Sequence, residues 1–471
     1  MIISKEVEEF FDAIAPARDK WKKKSGYYYH YVEDILLPFL ISPNQSILQI
    51  GCGTGDLLAK LKPSRGLGID ISPKMIEVAR SKYPSGKLEF SAQSIKQLDE
   101  KFEVVVISDA LGYISDVQSL FEDLNKLTND KSRIIITQYN QLWEPILDLA
   151  SRLKLRMPWP IVQNWLSRDD IENLLSLAGF EVVHRGRKML LPKKIPVISS
   201  LANCFLANIP ILSKFCLINY VVARKIPNSV HESASVSVIV PARNEAGTIE
   251  SIAKNIPDMG SGTEIIFVEG HSGDDTLAKI IKTVDQLKFR KIKYCVQDGK
   301  GKGDAVRKGF EMASGDILMI YDADMTVSVN DLVKFYNSLI KRRGEFINGS
   351  RLVYPLERQS MRFLNYLGNK FFSVAFSWLL GQKVKDTLCG TKVLWKNDYD
   401  KIKDNRNFFG DFDPFGDFDL LFGAAKLNLK IVDLPIRYRE RKYGQTNISR
   451  FKHGWLLLRM VFFAMRKIKF I

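Results

Sequence analysis

The stretch Gly315-Asp316-Ile317-Leu318-Met319-Ile320-Tyr321-Asp322-Ala323-Asp324 is an apolar run of strand length that delivers two carboxylates, one residue apart, at its end. Hard divalent cations such as Mg²⁺ or Mn²⁺ take oxygen ligands and keep positions for phosphate oxygens, so carboxylates in this place suit a metal beside a diphosphate. Upstream, the β-branched run Val236-Ser237-Val238-Ile239-Val240 is expected to stop at Pro241 and to pass through Ala242-Arg243-Asn244-Glu245 into a helical pattern from Ala246. A further run, Glu264-Ile265-Ile266-Phe267-Val268, ends in the polar turn Glu269 to Thr276. Strands alternating with helices imply a mainly parallel sheet, whose ligands gather beyond the carboxyl ends of its strands.

From about Ser235 to Asn447 the chain resembles the family 2 glycosyltransferases, which have a GT-A fold, and within them the dolichol-phosphate mannosyltransferase-like branch. The resemblance implies that Pro241, Ala242, Arg243 and Glu245 contact a nucleotide sugar, and that Glu269, where the family usually has aspartate, faces the base. It extends the same role to Lys302 and Asp304 in the Gly/Lys-rich entry Gly299 to Gly309, and to Asp322, Ala323 and Arg351. Arg441, in the basic segment Arg437 to Asn447, is implied to close over the diphosphate. Asp322 and Asp324 become the metal ligands, with Asp324 the principal one. The middle motifs Gly349-Ser350-Arg351 and Asp386 to Thr391 match as well, and Gly416 to Leu421 matches the acidic acceptor-side motif. An inverting displacement on a UDP- or GDP-sugar follows. A polyprenyl phosphate acceptor needs no general base, whereas a hydroxyl acceptor needs a carboxylate, for which Asp417 and Asp419 are the candidates and Asp417 is preferred.

The first half carries a different turn. The strand Ser46-Ile47-Leu48-Gln49-Ile50 runs into Gly51-Cys52-Gly53-Thr54-Gly55-Asp56, with Asp56 where a dinucleotide fingerprint has its third glycine, and a second strand ends at Asp70, placed for two ribose hydroxyls. Over Phe10 to Val183 this half resembles the class I S-adenosylmethionine-dependent methyltransferases. Gly51, Gly53, Gly55 and Asp70 fall on the cofactor motifs, and Val104 to Leu111, including Ser108, on the fourth strand and its polar exit. Ser91-Ala92-Gln93-Ser94 departs from the family by lacking an acidic residue near the adenine. His30, Asp109, Tyr113, Tyr139 and Glu144 are the candidate bases for methyl transfer.

The fold class expected is therefore α/β in two domains: a Rossmann-like methyltransferase over 1–228, a GT-A transferase over 229–450, and a basic amphipathic tail over 451–471. Five scattered cysteines indicate neither a disulfide framework nor a zinc site, and the amino terminus lacks a signal-peptide pattern, which fits a cytoplasmic protein. The net charge of +16 is concentrated at the end, where Arg437 to Ile471 holds ten Arg or Lys against one acid. Basic residues interleaved with the apolar run Trp455 to Met465 favour an anionic membrane surface over nucleic acid as the partner, and so a peripheral place on the inner face of the membrane. A final helix packed on the transferase core is the other reading. Ile195 to Ser213, uncharged and flanked by Lys193, Lys194 and Lys214, is read as a buried or interfacial helical hairpin; its prolines and asparagines argue against a span. The whole is read as a bifunctional enzyme of surface-glycan assembly, or alternatively as a glycosyltransferase with a silent methyltransferase-like scaffold.

Overall fold

The structure is a computed structural model that describes residues 2–84, 86–157, 163–227, 230–231, 233–354, 363–406, 417–439, 441, 443 and 450–470. The chain divides into two compact units, Met1–Pro227 with Lys469–Ile471, and Asn228–Ile468.

The first unit is built on a seven-stranded sheet. Its strands are β1 (Ser46–Ile50), β2 (Arg65–Ile69), β3 (Leu88–Ser91), β4 (Val104–Ser108), β5 (Arg133–Tyr139), β6 (Phe180–Lys188) and β7 (Ile218–Lys225), in the order β3-β2-β1-β4-β5-β7-β6. β1 to β5 pair in parallel, with Ile47 opposite Gly66 and Val104, whereas β7 runs antiparallel to both β5 and β6. The near-continuous apolar strands are explained by burial on both faces. Alternate residues divide between two cores: Ile47, Val104, Val106 and Ile135 join one, while Leu48, Val105, Ile107 and Ile134 join the other.

The second unit has strands β8 (Val236–Ala242), β9 (Thr263–Glu269), β10 (Lys291–Val296), β11 (Ile317–Ile320), β12 (Phe346–Ser350), β13 (Lys392–Trp395) and β14 (Ile431–Pro435), in the order β10-β9-β8-β11-β13-β12-β14. Only β13 is antiparallel to its neighbours. Both units are thus α/β domains with mixed sheets, as the fold class expected. Strand β8 does not stop at Pro241 but continues to Ala242, paired with Glu269. The Ile239 carbonyl accepts from Tyr321 on the β11 side, so by strand alternation the missing Pro241 N–H faces the side where β11 has already ended at Ile320. The helix expected from Ala246 begins instead at Ile249, after a turn in which Asn244 takes a left-handed φ of 57°.

Between Trp455 and Ile468 the last helices bury Leu457, Met460, Val461, Ala464 and Ile468, while Trp455 and Phe462 remain exposed. One face of this tail is therefore core-like. All five cysteines are free thiols.

Candidate functional site

In the first unit the turn after β1 folds back onto β2 through Gly51 and Cys52, whose N–H groups donate to the Ile69 carbonyl at 2.8 and 3.0 Å. Gly51, Gly53 and Gly55 all take left-handed φ values, 72°, 52° and 80°. A Cβ on Gly51 would meet Ala110 at 2.7 Å, and one on Gly55 would meet the Phe90 ring at 2.8 Å, whereas at Gly53 there is open space. That space belongs to a cavity of about 590 Å³ bounded by the turn, Asp70, Ser108, Asp109, Tyr113 and Tyr139.

Asp70 stands at its rim. Its two carboxylate oxygens accept the N–H groups of Gly53 at 2.8 Å and Ser72 at 3.0 Å, and burial raises its carboxyl above the usual range. Ser108 shares a 2.9 Å hydrogen bond with Thr137. Asp109, with a left-handed φ of 53°, accepts from Tyr28 at 2.5 Å, and burial pushes its pKa up to about 6. Of the other candidate bases, His30 is exposed and paired with Asp34 at 3.0 Å. Tyr113 is hydrogen-bonded by Gln163, and burial raises both Tyr113 and Tyr139. Glu144 is exposed and is not part of the cavity wall. Sequence reasoning missed a charged cluster at the same cavity. Lys22, from the helix Arg18–Lys24, bridges Glu33 at 2.6 Å and Asp56 at 2.7 Å, and Asp56 also accepts from Lys82 and Tyr83 at 2.8 Å. The one cue available was Asp56 itself, an acid where a dinucleotide fingerprint has its third glycine.

In the second unit the candidate residues converge at the carboxyl ends of the parallel strands. Lys302, which opens the helix Lys302–Met312, pairs with Asp322 at 2.7 Å. Burial works against ionisation of Asp322, but Lys302, and then Lys392 and Arg351, outweigh it and hold the carboxyl below its usual range. Asp324 goes the other way: burial and the neighbouring Asp322 raise it, although Thr326 donates to it at 2.9 Å. Arg441 spans Asp324 at 3.1 Å and Glu245 at 2.6 Å. Burial raises Glu245 to about 7, and its Oε2 is buried without a hydrogen-bond partner. A Cβ on Gly390 would overlap the Asp322 carboxylate and the Lys302 ammonium, so a side chain there would displace that ion pair.

The remaining candidates are spread around this centre. Both oxygens of Glu269 are taken by N–H groups of its own turn, His271 at 3.1 Å and Ser272 at 2.6 Å. Asp304 ties the loop back through the Gly299 N–H at 2.8 Å. Ala242 and Ala323 are buried, Pro241 is half-buried and Arg243 is exposed. Asp419, in the helix Asp417–Lys426, is buried and paired with Arg406 at 2.9 Å. The side chain of Asp417 lies outside the described residues, as do Gly416, Glu440, Lys442 and Gly444 to Asn447.

Arg351 holds Asp386 in a fork, Nε to Oδ2 at 2.7 Å and Nη2 to Oδ1 at 2.9 Å, with Asp386 fully buried. Asp386→Ala leaves the Arg351 charge buried and unpaired, and is expected to cost about 3–5 kcal/mol in urea unfolding of the second unit.

Asp322 and Asp324, one residue apart and engaged by Lys302 and Arg441, with the orphaned buried oxygen of Glu245 beside them, offer the carboxylate oxygens that a divalent cation takes. Among the described residues no group of three or more His, Cys, Asp or Glu side chains gathers as a metal site. A cation held here would therefore complete its shell with ligand oxygens.

Residues 237–402 match the model of Glycosyl transferase family 2, and residues 23–185 match that of a Methyltransferase domain. Glycosyltransferase AglJ of Haloferax volcanii is 25% identical over 225 residues, covering 47% of this chain and 69% of that protein. Dolichyl-phosphate beta-glucosyltransferase of Saccharomyces cerevisiae is 27% identical over 252 residues, covering 46% and 72%. In the first half, O-methyltransferase cnsE of Penicillium expansum is 32% identical over 158 residues, covering 30% of this chain and 55% of that protein. The chain thus spans about half the length of this methyltransferase relative.

Proposed function

We propose that this chain, which matches Glycosyl transferase family 2 over 237–402 and a Methyltransferase domain over 23–185, transfers a sugar from UDP or GDP to a polyprenyl phosphate or lipid-linked glycan and methylates with S-adenosylmethionine. One observation carries the first activity: Glu245 and Asp324 converge on Arg441 beside the Lys302–Asp322 pair, at the strand ends where a nucleoside diphosphate would lie. Asp324, with Asp322, would hold Mg²⁺ or Mn²⁺, which as a Lewis acid stabilises a leaving diphosphate. The acceptor oxygen bonds to the anomeric carbon as the bond to the nucleoside diphosphate breaks, and Lys302 and Arg441 supply positive charge where negative charge collects. Polyprenyl phosphate is the favoured acceptor, since it is already ionised and a relative is named for dolichyl phosphate. For a hydroxyl acceptor, Asp417 or Asp419 would take the proton, and Asp419 would first have to leave Arg406.

Transfer of radiolabelled sugar to membranes, followed by solvent partition, tests this. Label that enters the organic phase and is released by mild acid supports a polyprenyl phosphate; acid-stable label in polymer makes the acceptor a hydroxyl. No transfer from either nucleotide sugar overturns the reading.

For the methyl transfer, support comes from the cavity at Gly51, Gly53 and Asp70, which has the acceptor for ribose hydroxyls and room for the cofactor. S-adenosylmethionine supplies an electrophilic methyl group; the protein supplies orientation and a base. Asp109 is the preferred base because it lines the cavity and its raised pKa suits proton abstraction near neutrality. Methyl transfer is then expected to rise about tenfold per pH unit up to about 6 and to level off above it. The same shift has an opposite sign for stability. The folded-state pKa lies above the unfolded one, so stability is fully present below about pH 4 and is lost as pH rises through about 6. Asp109→Asn should therefore abolish transfer and raise the melting temperature at pH 8; a variant that retains full transfer removes Asp109 as the base.

The shared chain suggests one glycan as substrate of both activities, assembled at the inner face of the membrane with the basic tail on anionic lipid. A methylation assay on the sugar-transfer product in which no methyl group appears would sink that link.

A further inference from the structure

The segment between β6 and β7 is built inside out. Its helix Ile198–Cys204 turns Ser199, Ala202 and Asn203 inward and presents Ile198 and Leu201 to the outside, followed by Phe205. The inward polar groups are all engaged. Ser199 accepts from the Ile195 N–H at 2.7 Å, and Asn203 bonds both backbone groups of Leu191, at 2.8 and 2.9 Å, and the Tyr27 hydroxyl at 3.0 Å. A helix bordered by water puts its apolar stripe on the core. Here hydrogen bonds fix the inner side while Val197 and Ile211 are each 71% exposed, Leu201 52% and Phe205 50%.

A second element with exposed apolar residues is joined to this segment. Trp143 donates from its indole N–H to the Phe215 carbonyl at 2.8 Å, and Asn140 to the Lys214 carbonyl at 2.8 Å, which joins this segment to the start of the helix Glu144–Arg152. In that helix only Leu147 is buried, and Ile146 and Leu149 are exposed. Charge completes the pattern. From Arg185 to Lys225 the chain has eight Arg or Lys and no Asp or Glu, and Lys193, Lys194 and Lys214 are exposed at the two ends of the apolar segment.

We propose that this face of the first unit inserts shallowly into an anionic phospholipid bilayer, its apolar residues among the acyl chains and its lysines at the headgroup phosphates. A cluster of exposed apolar side chains marks an interaction surface, and the exposed Lys193, Lys194 and Lys214 at the ends of the segment favour an anionic lipid surface. No helix of the described residues is long and apolar enough to cross a membrane, so the attachment is interfacial. The end of the carboxyl-terminal tail borders this face, with the Phe205 and Phe470 rings 4.6 Å apart and Asn208 donating to the Lys469 carbonyl at 3.0 Å, and the attachment does not rest on the sugar-transfer reading.

The test is sedimentation of the full chain with vesicles of phosphatidylcholine plus phosphatidylglycerol, and with phosphatidylcholine alone. Leu201→Ser/Phe205→Ser/Ile211→Ser changes side chains at least half exposed, of which Phe205 also packs against Phe470, and unaltered S-adenosylmethionine binding or melting temperature monitors its fold. It is expected to weaken binding to the anionic vesicles by about tenfold or more, and Lys193→Gln/Lys194→Gln to weaken it by roughly fivefold per lysine at low salt. A matched tail variant, Trp455→Ser/Phe462→Ser, should retain the binding that the triple variant loses. The proposal is overturned if the triple variant binds as the unaltered chain does, if binding ignores phosphatidylglycerol, or if the chain binds no vesicle and the triple variant instead abolishes its self-association.

Discussion

Asp324→Asn is expected to reduce sugar transfer by about 10²–10³-fold, the loss typical when a group that stabilises developing charge is removed from a closed site. The carboxylate accepts from the N–H and the hydroxyl of Thr326 at 3.2 and 2.9 Å and pairs with Arg441 at 3.1 Å, and an Asn side-chain oxygen can still accept the Thr326 bonds. Melting should therefore move little while the affinity for UDP or GDP with Mn²⁺, read by calorimetry, falls steeply. A rival account is that Asp324 only anchors Arg441. Arg441→Ala separates the two: if anchoring were the whole role, each single variant and the double variant would lose the same activity. If Asp324 also holds a cation, the double variant falls below either single one. Full activity in Asp324→Asn would overturn the assignment outright.

How these residues meet was partly readable beforehand. β-branched runs ending in polar clusters marked β1, β4, β8, β9 and β11 to within a residue or two, because a strand buried on both faces must be apolar throughout. Such a run carries no sign of direction, so nothing in Lys392–Trp395 or Ile218–Lys225 announced that β13 and β7 are antiparallel. The carboxyl-end glycines and acids were legible because each terminates its own strand. Lys22 and Glu33 were not, since they come from two helices upstream of β1 and meet Asp56 only in three dimensions. Arg351 was expected at the nucleotide sugar, and its guanidinium is held by Asp386, a partner that the motif spacing brought near without showing the pairing. The surface from Val197 to Phe215 was harder still, because an uncharged stretch reads alike whether it is core or interface; only the inward turn of Ser199 and Asn203 separates the two.

Asp70→Ala is expected to weaken S-adenosylmethionine binding by about 10²–10⁴-fold, since two hydrogen bonds from ribose hydroxyls to a charged acceptor contribute roughly 1.5–3 kcal/mol each. Part of any loss would come from the turn, because the same carboxylate accepts the Gly53 and Ser72 N–H groups. Asp70→Asn resolves that contribution: it keeps one carbonyl acceptor of the same shape and removes the charge, so its binding should lie between those of the alanine variant and the unaltered chain. Sugar transfer by the second unit serves as the control, for Asp70 belongs to the first unit's own core and fold. If the unaltered chain binds S-adenosylmethionine and Asp70→Ala binds it equally well, the cofactor does not lie along the β1 turn. If the unaltered chain shows no binding at all, while sugar transfer is intact, the first unit is the silent scaffold, and its cavity and its raised Asp109 serve some other ligand. The intermediate affinity of Asp70→Asn is thus the result that ties the cavity to a ribose rather than to a general need for an acid in that turn.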